Sequence, residues 1–202
     1  MAVDGKHGVE RVAEVLDVYQ EMGCDIIGLQ KTRRSGQSAL LQAGYVVYCS
    51  AESGGDEEGK KGQGGVGLDV RKSISRAEAR PPEFISDRLL KVTLELCGRA
   101  RAVTFVVGYA PTDTQFVGKN NAFWTALEGV VKEVPEHEQL LFVLMDANAR
   151  TGRRGGGKPG SEECKVLGAY GRDNLNDNGE RLLSFSANHE FAVLNTFFST
   201  AI

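Results

Sequence analysis

The stretch Gln139-Leu140-Leu141-Phe142-Val143-Leu144-Met145-Asp146-Ala147-Asn148-Ala149-Arg150 decides how the rest of the chain is read. Leu140–Met145 is an unbroken apolar run, too short for a helix and too apolar for a half-exposed strand. Such a run predicts a strand buried on both faces. It stops on Asp146 and Asn148, one residue apart. With a side-chain period of two, both project to the same side, about 6–7 Å from each other. A carboxylate and an amide aimed together off a strand end suit a site that orients water and phosphate oxygens. The plain alternative is that the pair ends the strand through Asx-turns, as Asp and Asn commonly do.

Outward from this stretch, the elements alternate. Upstream, Asn121–Val134 predicts a helix with Phe123, Leu127, Val130, Val131 and Val134 inward, leading through Pro135 into the central strand. Before it, Leu90, Val92, Leu94 and Leu96 alternate with Lys91, Thr93 and Glu95, a strand with one wet face. Gly98–Arg101 turns the chain, and Val103–Val107 returns as a more buried strand that completes an antiparallel hairpin. This strand runs into Gly108-Tyr109-Ala110-Pro111-Thr112. Nearer the start, Val12, Val15, Leu16, Tyr19 and Met22 recur at helical spacing and Gly23 fits a C-terminal cap. Ile26, Ile27 and Leu29 form a short strand, Ser38–Gln42 a helical turn closed by Gly44, and Tyr45–Cys49 and Gly67–Val70 two further strands. The glycines of Gly54–Gly65 have neither P-loop nor dinucleotide spacing, so that segment reads as a loop. Downstream, Gly152–Gly160 is a loop. Its Arg153, Arg154 and Lys158, with Arg150 just before it, could contact phosphates or simply be solvated. Asn176 is placed to cap a last helix with Leu182, Leu183, Phe185 and Ser186 inward, and Phe191–Thr196 predicts a last strand.

The 202 residues fit one domain with a sizeable core, at 41% hydrophobic and 25% charged content. A net charge of −3 supplies no global basic field, so any nucleic-acid contact depends on a local patch. Cys24, Cys49, Cys97 and Cys164 are scattered, without C-x-x-C or histidines at ligand spacing. That reads as a reduced, intracellular protein without structural zinc. No apolar run reaches membrane length and the N-terminus has no signal-peptide pattern, which fits a nuclear or cytoplasmic location and no membrane partner. Strands joined by helices and by a hairpin imply a mixed α/β system, helices outside two packed sheets. With no internal repeat or composition break, residues 1–202 read as a single domain.

Four motifs stand in order: Asp25-Ile26-Ile27-Gly28-Leu29-Gln30; Gly108-Tyr109-Ala110-Pro111-Thr112; Met145-Asp146-Ala147-Asn148-Ala149; and Asn176-Asp177-Asn178-Gly179-Glu180-Arg181-Leu182-Leu183. Together they resemble the endonuclease/exonuclease/phosphatase superfamily. Within it, they look most like the endonuclease domains of non-LTR retrotransposons and the craniofacial development protein-like sequences related to them. The resemblance covers about Lys6 to Phe198. It implies a four-layered α/β sandwich, two packed mixed sheets flanked by helices, and Mg2+-dependent hydrolysis of a phosphodiester, with DNA or another nucleic acid as substrate. It would make Asp146 the group that orients and deprotonates the attacking water, and Asn148 the holder of that carboxylate or of a phosphate oxygen. Tyr109 would donate to the scissile phosphate or support the leaving oxygen, and Asn176 would contact the phosphate. Two plain readings stand beside these: Tyr109 as a core tyrosine at a strand end, and Asn176 as an ordinary helix cap.

The departures from that pattern are specific. After Leu29-Gln30 the family places a glutamate that binds the metal, and here the residue is Lys31. An ammonium offers a hard dication no oxygen and repels it. The family's asparagine strand before the first helix, and its closing aspartate and Ser-Asp-His segment, have no counterpart, so the domain reads as truncated at both ends. Ser86-Asp87 is followed by Arg88 and lies too early, and His7, His137 and His189 lack the context. No metal ligand set is intact. Three functions follow as expectations. The first is a phosphodiesterase with a rearranged, impaired site. The second is an inactive retrotransposon-derived remnant. The third is a phosphate- or nucleic-acid-binding module in which Lys31, Arg33 and Arg34 replace the metal as anion contacts.

Overall fold

The computed structural model describes residues 15–32, 36–51, 64–98, 101–112, 117–135, 140–152, 165–171 and 174–199. Val12, Arg33, Arg34, His137, Arg153, Arg154, Lys158 and most of the loop before Gly65 lie outside them. The chain divides into two compact units, Met1–Tyr109 with Lys132–Met145, and Ala110–Val131 with Asp146–Ile202.

The first unit is α/β with two packed sheets. One sheet comprises β1 (Ile26–Gln30), β2 (Ser38–Gln42), β3 (Tyr45–Ser50) and β4 (Val66–Arg71) in the order β1-β4-β3-β2, antiparallel throughout. The other comprises β5 (Ser75–Glu78), β6 (Glu83–Ser86), β7 (Leu89–Leu96), β8 (Val103–Tyr109) and β9 (Leu141–Asp146). Its order is β5-β7-β8-β9, with β6 also paired to β7. The expected hairpin is there, Leu94 facing Val103 in antiparallel register. β9 runs parallel to β8. Thr104 N–H donates to Leu140 O and Ala110 N–H to Asp146 O, an equal advance on both strands.

The period of two explains the core. Val66, Leu68 and Val70 of β4 meet Leu90, Val92 and Leu94 of β7 and Val103, Phe105, Val107 and Tyr109 of β8 between the sheets. The alternate residues of β3, Tyr45, Val47 and Cys49, face the other way. They pack with Ile27 and with Leu16 of helix α1 (residues 15–21). Gly28 of β1 packs closely on β9: a Cβ there would stand 2.7 Å from Leu144 Cβ. Gly28→Ala is therefore expected to overpack this contact and cost about 1–3 kcal/mol, read as a lower midpoint in thermal or denaturant unfolding.

Several sequence expectations change. Ser38–Gln42 is strand β2, not a helical turn. It pairs Gln42 with Tyr45 across Ala43 and Gly44, both at positive φ (+46° and +78°), the two-residue turn that matches strand twist. The strand β7 has no wet face at Lys91 and Thr93, which are buried. Lys91 Nζ reaches Glu83 Oε1 at 2.8 Å and Glu133 Oε2 at 3.6 Å, and the Thr93 and Thr104 hydroxyls share a hydrogen bond of 3.0 Å. Strands β5 and β6, too short and polar for the periodicity, pair along the edge of β7. β9 is not buried on both faces. Among the described residues it is the sheet edge, and Phe142 stays 40% exposed while stacking on Phe105.

The second unit carries helix α2 (Val117–Lys132) and helix α3 (Asp177–Asn188). Trp124 and Phe185 bring the helices together, ring centroids 6.0 Å apart, with Phe123 edge-on to Trp124 and Phe191 stacked on Phe185. Leu182 and Leu183 are only half-buried; Asn178, Gly179, Phe185 and Ser186 form the buried face. The predicted strand Phe191–Thr196 is instead a single bridge, Val193 with Leu167, followed by one turn of 3-10 helix at Leu194–Thr196. A local hydrogen bond from Thr196 Oγ1 to Val193 O favours that turn. Among the described residues no helix is long and apolar enough to cross a membrane.

Candidate functional site

The residues expected to form the site fall in both units. In the second unit they converge at the exit of β9. Asp146 ends the strand and its Oδ1 accepts the backbone N–H of Asn148 at 3.0 Å, an Asx-turn. The turn places Asn148 at φ +47°, in the left-handed region that asparagine tolerates better than most residues. The strand therefore stops before Asn148, and the period-of-two argument does not describe this pair. Asn148 does not project alongside Asp146; its Nδ2 donates to Ala110 O at 2.7 Å. What brings the two together is the turn, not the pleat.

Asn176 joins the same network. Its Nδ2 donates to Asn148 O at 3.1 Å, while its Oδ1 accepts from Arg150 N at 2.7 Å and from Gly179 N at 2.9 Å. The last of these is the N-cap bond of α3, so the capping expectation holds and the same amide fixes the loop after β9. Gly179 has to be glycine, because a Cβ there would collide with Arg150 O. Asn178, fully buried, donates from Nδ2 to Pro111 O at 2.8 Å and so holds the segment that follows β8. Its place was unread in the sequence, which assigned Asn178 no role of its own. With Oδ1 committed to the turn, Asp146 keeps its second carboxylate oxygen without a protein partner among the described residues. A half-buried carboxylate fixed through one oxygen and open through the other can accept a proton or a hydrogen bond from a bound group.

In the first unit, Tyr109 ends β8 with its ring buried, and two cations stand over that ring. Lys31 Nζ lies 5.1 Å from the centroid and Arg88 Cζ 5.0 Å. Lys31 follows β1 directly, at φ +57°, a backbone conformation that costs a non-glycine residue about 1 kcal/mol or more. Arg88 was not singled out by sequence; its signal was a basic residue immediately before the buried run of β7. Among the described residues no group of three or more His, Cys, Asp or Glu stands together to hold a metal ion. Lys31, which follows the first motif, offers a divalent cation no oxygen. His189, already lacking the family context, sits against the Phe185 ring with Nε2 3.9 Å from Glu128.

No protein-family model matches the sequence, and no match is found among the curated proteins. Solved structures do match. The catalytic domain of human Nocturnin with bound sulfate aligns with a TM-score of 0.53 at 18% identity, over 69% of this chain and 57% of that one. The endonuclease domain of TRAS1, a telomere-specific non-LTR retrotransposon, aligns with a TM-score of 0.51 at 14% identity, over 88% of this chain and 64% of that one. A humanized D. rerio TDP2 gives 0.48 at 15% identity, over 73% and 62%. The chain spans less than two-thirds of the length of each of these structures. At these identities the likeness to the Nocturnin and TRAS1 domains is one of fold, an α/β arrangement with two packed sheets.

Proposed function

We propose that residues 1–202 form one endonuclease/exonuclease/phosphatase-type domain that recognises nucleic-acid phosphodiesters and whose hydrolytic chemistry is impaired. The observation that carries this reading is Asp146, fixed through Oδ1 by the Asn148 N–H, with Asn176 bracing the turn from α3. Asp146 and Asn148 are the groups that would face the phosphate or its attacking water, Tyr109 would donate to a phosphate oxygen, and Asn176 acts as much through bracing as through contact. Lys31 is the reason for impairment. It occupies the position where the resemblance implies a metal ligand, so the Mg2+ dependence of the ancestral enzyme has no matching donors here, and Mg2+ binding is weak or lost. The motif resemblance to non-LTR retrotransposon endonucleases and craniofacial development protein-like sequences supports a retrotransposon-related origin, DNA as the ancestral substrate, and a nuclear or cytoplasmic setting.

A second reading, binding without any catalysis, is favoured by the pair of cations over Tyr109. Both readings expect nucleic-acid binding whose affinity falls with salt, because the contacts are to phosphate. Fluorescence anisotropy with a labelled single-stranded DNA and the matching RNA, over a salt series, tests this. A binding isotherm that weakens steadily with salt is expected. No binding to either strand at low salt would reject it.

A further inference from the structure

We propose that Lys31 and Arg88, held over the ring of Tyr109, form a metal-independent site for a phosphate anion. This deepens the reading of the chain as a phosphodiester binder, and only its nucleic-acid arm rests on that reading.

The placement of the three side chains is built into the backbone. Thr32 N–H donates to Gly65 O, Gly65 N–H to Asp87 O, and Tyr109 N–H to Arg88 O, at 3.1, 2.9 and 2.9 Å. These bonds lace the ends of β1, β4 and β8 to the turn that precedes β7. Arg88 closes the lacing through its side chain, Nη1 donating to Tyr109 O at 3.3 Å. The guanidinium is thus oriented before any ligand arrives. Its nearest carboxylate among the described residues, Asp87, stands at 3.9 Å from Nε, at the margin of an ion pair. Arg88 therefore still carries N–H groups able to take an anion.

Lys31 is held differently. Its side chain is exposed, yet the ammonium rests over Tyr109, with no carboxylate in ion-pair range among the described residues. A lysine with nothing but contact with a ring to hold it would ordinarily extend into water. Here a left-handed backbone turns it toward the same tyrosine that Arg88 approaches. Strain of this kind persists only where surrounding structure imposes it, and it concentrates at binding sites. The Tyr109 hydroxyl has no protein acceptor or donor among the described residues, although the ring is buried. Ammonium, guanidinium and phenol together supply point charge, a planar fork and a neutral donor, a set that matches phosphate oxygens. The same set repels a dication. The chemistry of this position therefore suits an anion.

The test is calorimetric titration of the intact chain with inorganic phosphate, and in parallel with a short single-stranded DNA, both in excess EDTA. Wild-type protein is expected to bind both. Lys31→Glu reverses one charge at an exposed side chain and is expected to weaken both by about tenfold or more. Arg88→Gln and Tyr109→Phe are expected to weaken phosphate binding as well, with circular dichroism confirming that each is folded. Phosphate affinity unchanged in Lys31→Glu, or phosphate binding seen only when Mg2+ replaces EDTA, would overturn the site. Loss of phosphate binding in Lys31→Glu, in a protein that never binds DNA, would uphold the anion site and reject the nucleic-acid reading. DNA binding and phosphate binding both indifferent to Lys31→Glu would reject the anion site and leave the nucleic-acid reading standing.

Discussion

Supercoiled plasmid incubated with this protein and Mg2+ is expected to remain supercoiled, at the level of a protein-free control. In-line hydrolysis of a phosphodiester needs three things: a base for the water, donors to the phosphoryl oxygens, and stabilisation of the charge that builds on them. In the proposed reading Asp146 is the base and Tyr109 a donor, and the third need is the one left unmet. Lys31 contributes a tethered single charge, which can attract an oxygen but cannot acidify a water or bridge two oxygens. Loss of one such stabilising group commonly lowers rates by about 10²–10³-fold, and loss of a general acid or base by about 10²–10⁴-fold. Mg2+-dependent nicking that vanishes in Asp146→Ala would show that a competent site assembles despite Lys31.

The second large effect is on stability. Asn176→Ala removes the acceptor for Arg150 N and Gly179 N and the donor to Asn148 O, all in one side chain. A lost N-cap costs about 0.5–2 kcal/mol and each further hydrogen bond about 1 kcal/mol. The sum, about 2–4 kcal/mol, corresponds to a fall in Tm of roughly 5–15 °C for a chain of this length. Asn176→Asp keeps the acceptor and loses the donor, so its Tm should fall less than half as far. Equal losses in the two variants would mean that the cap and the Arg150 contact carry little of the stability, contrary to the geometry.

The difference between what was legible in the sequence and what was not follows the physics of each element. Strands with a strong alternation were legible: Leu90 to Leu96 and Val103 to Val107 pair as expected, and β4 lies where Gly67–Val70 placed it. The Asn176 cap was legible because capping is local. Ser38–Gln42 was misread because Ala43-Gly44 can close a helix or turn a hairpin, and only pairing with β3 decides between them. The wet face of β7 was misread because Lys91 is normally a surface residue. Its burial depends on Glu83 and Glu133, which lie apart in sequence. At the candidate site, residue types were legible and geometry was not. The pleat predicted that Asp146 and Asn148 point together, whereas the Asx-turn ends the strand between them. Arg88 could not be connected to Tyr109 until the pairing of β7 with β8 put their backbones in contact.

Recognition of a phosphodiester without its hydrolysis can be read in a single experiment. An end-labelled single-stranded DNA is held with the protein once in EDTA and once in Mg2+, and the bound fraction and the strand length are read from the same samples. The same bound fraction is expected in both, with full-length strand throughout. Binding that requires Mg2+, accompanied by shortened strands, would contradict it.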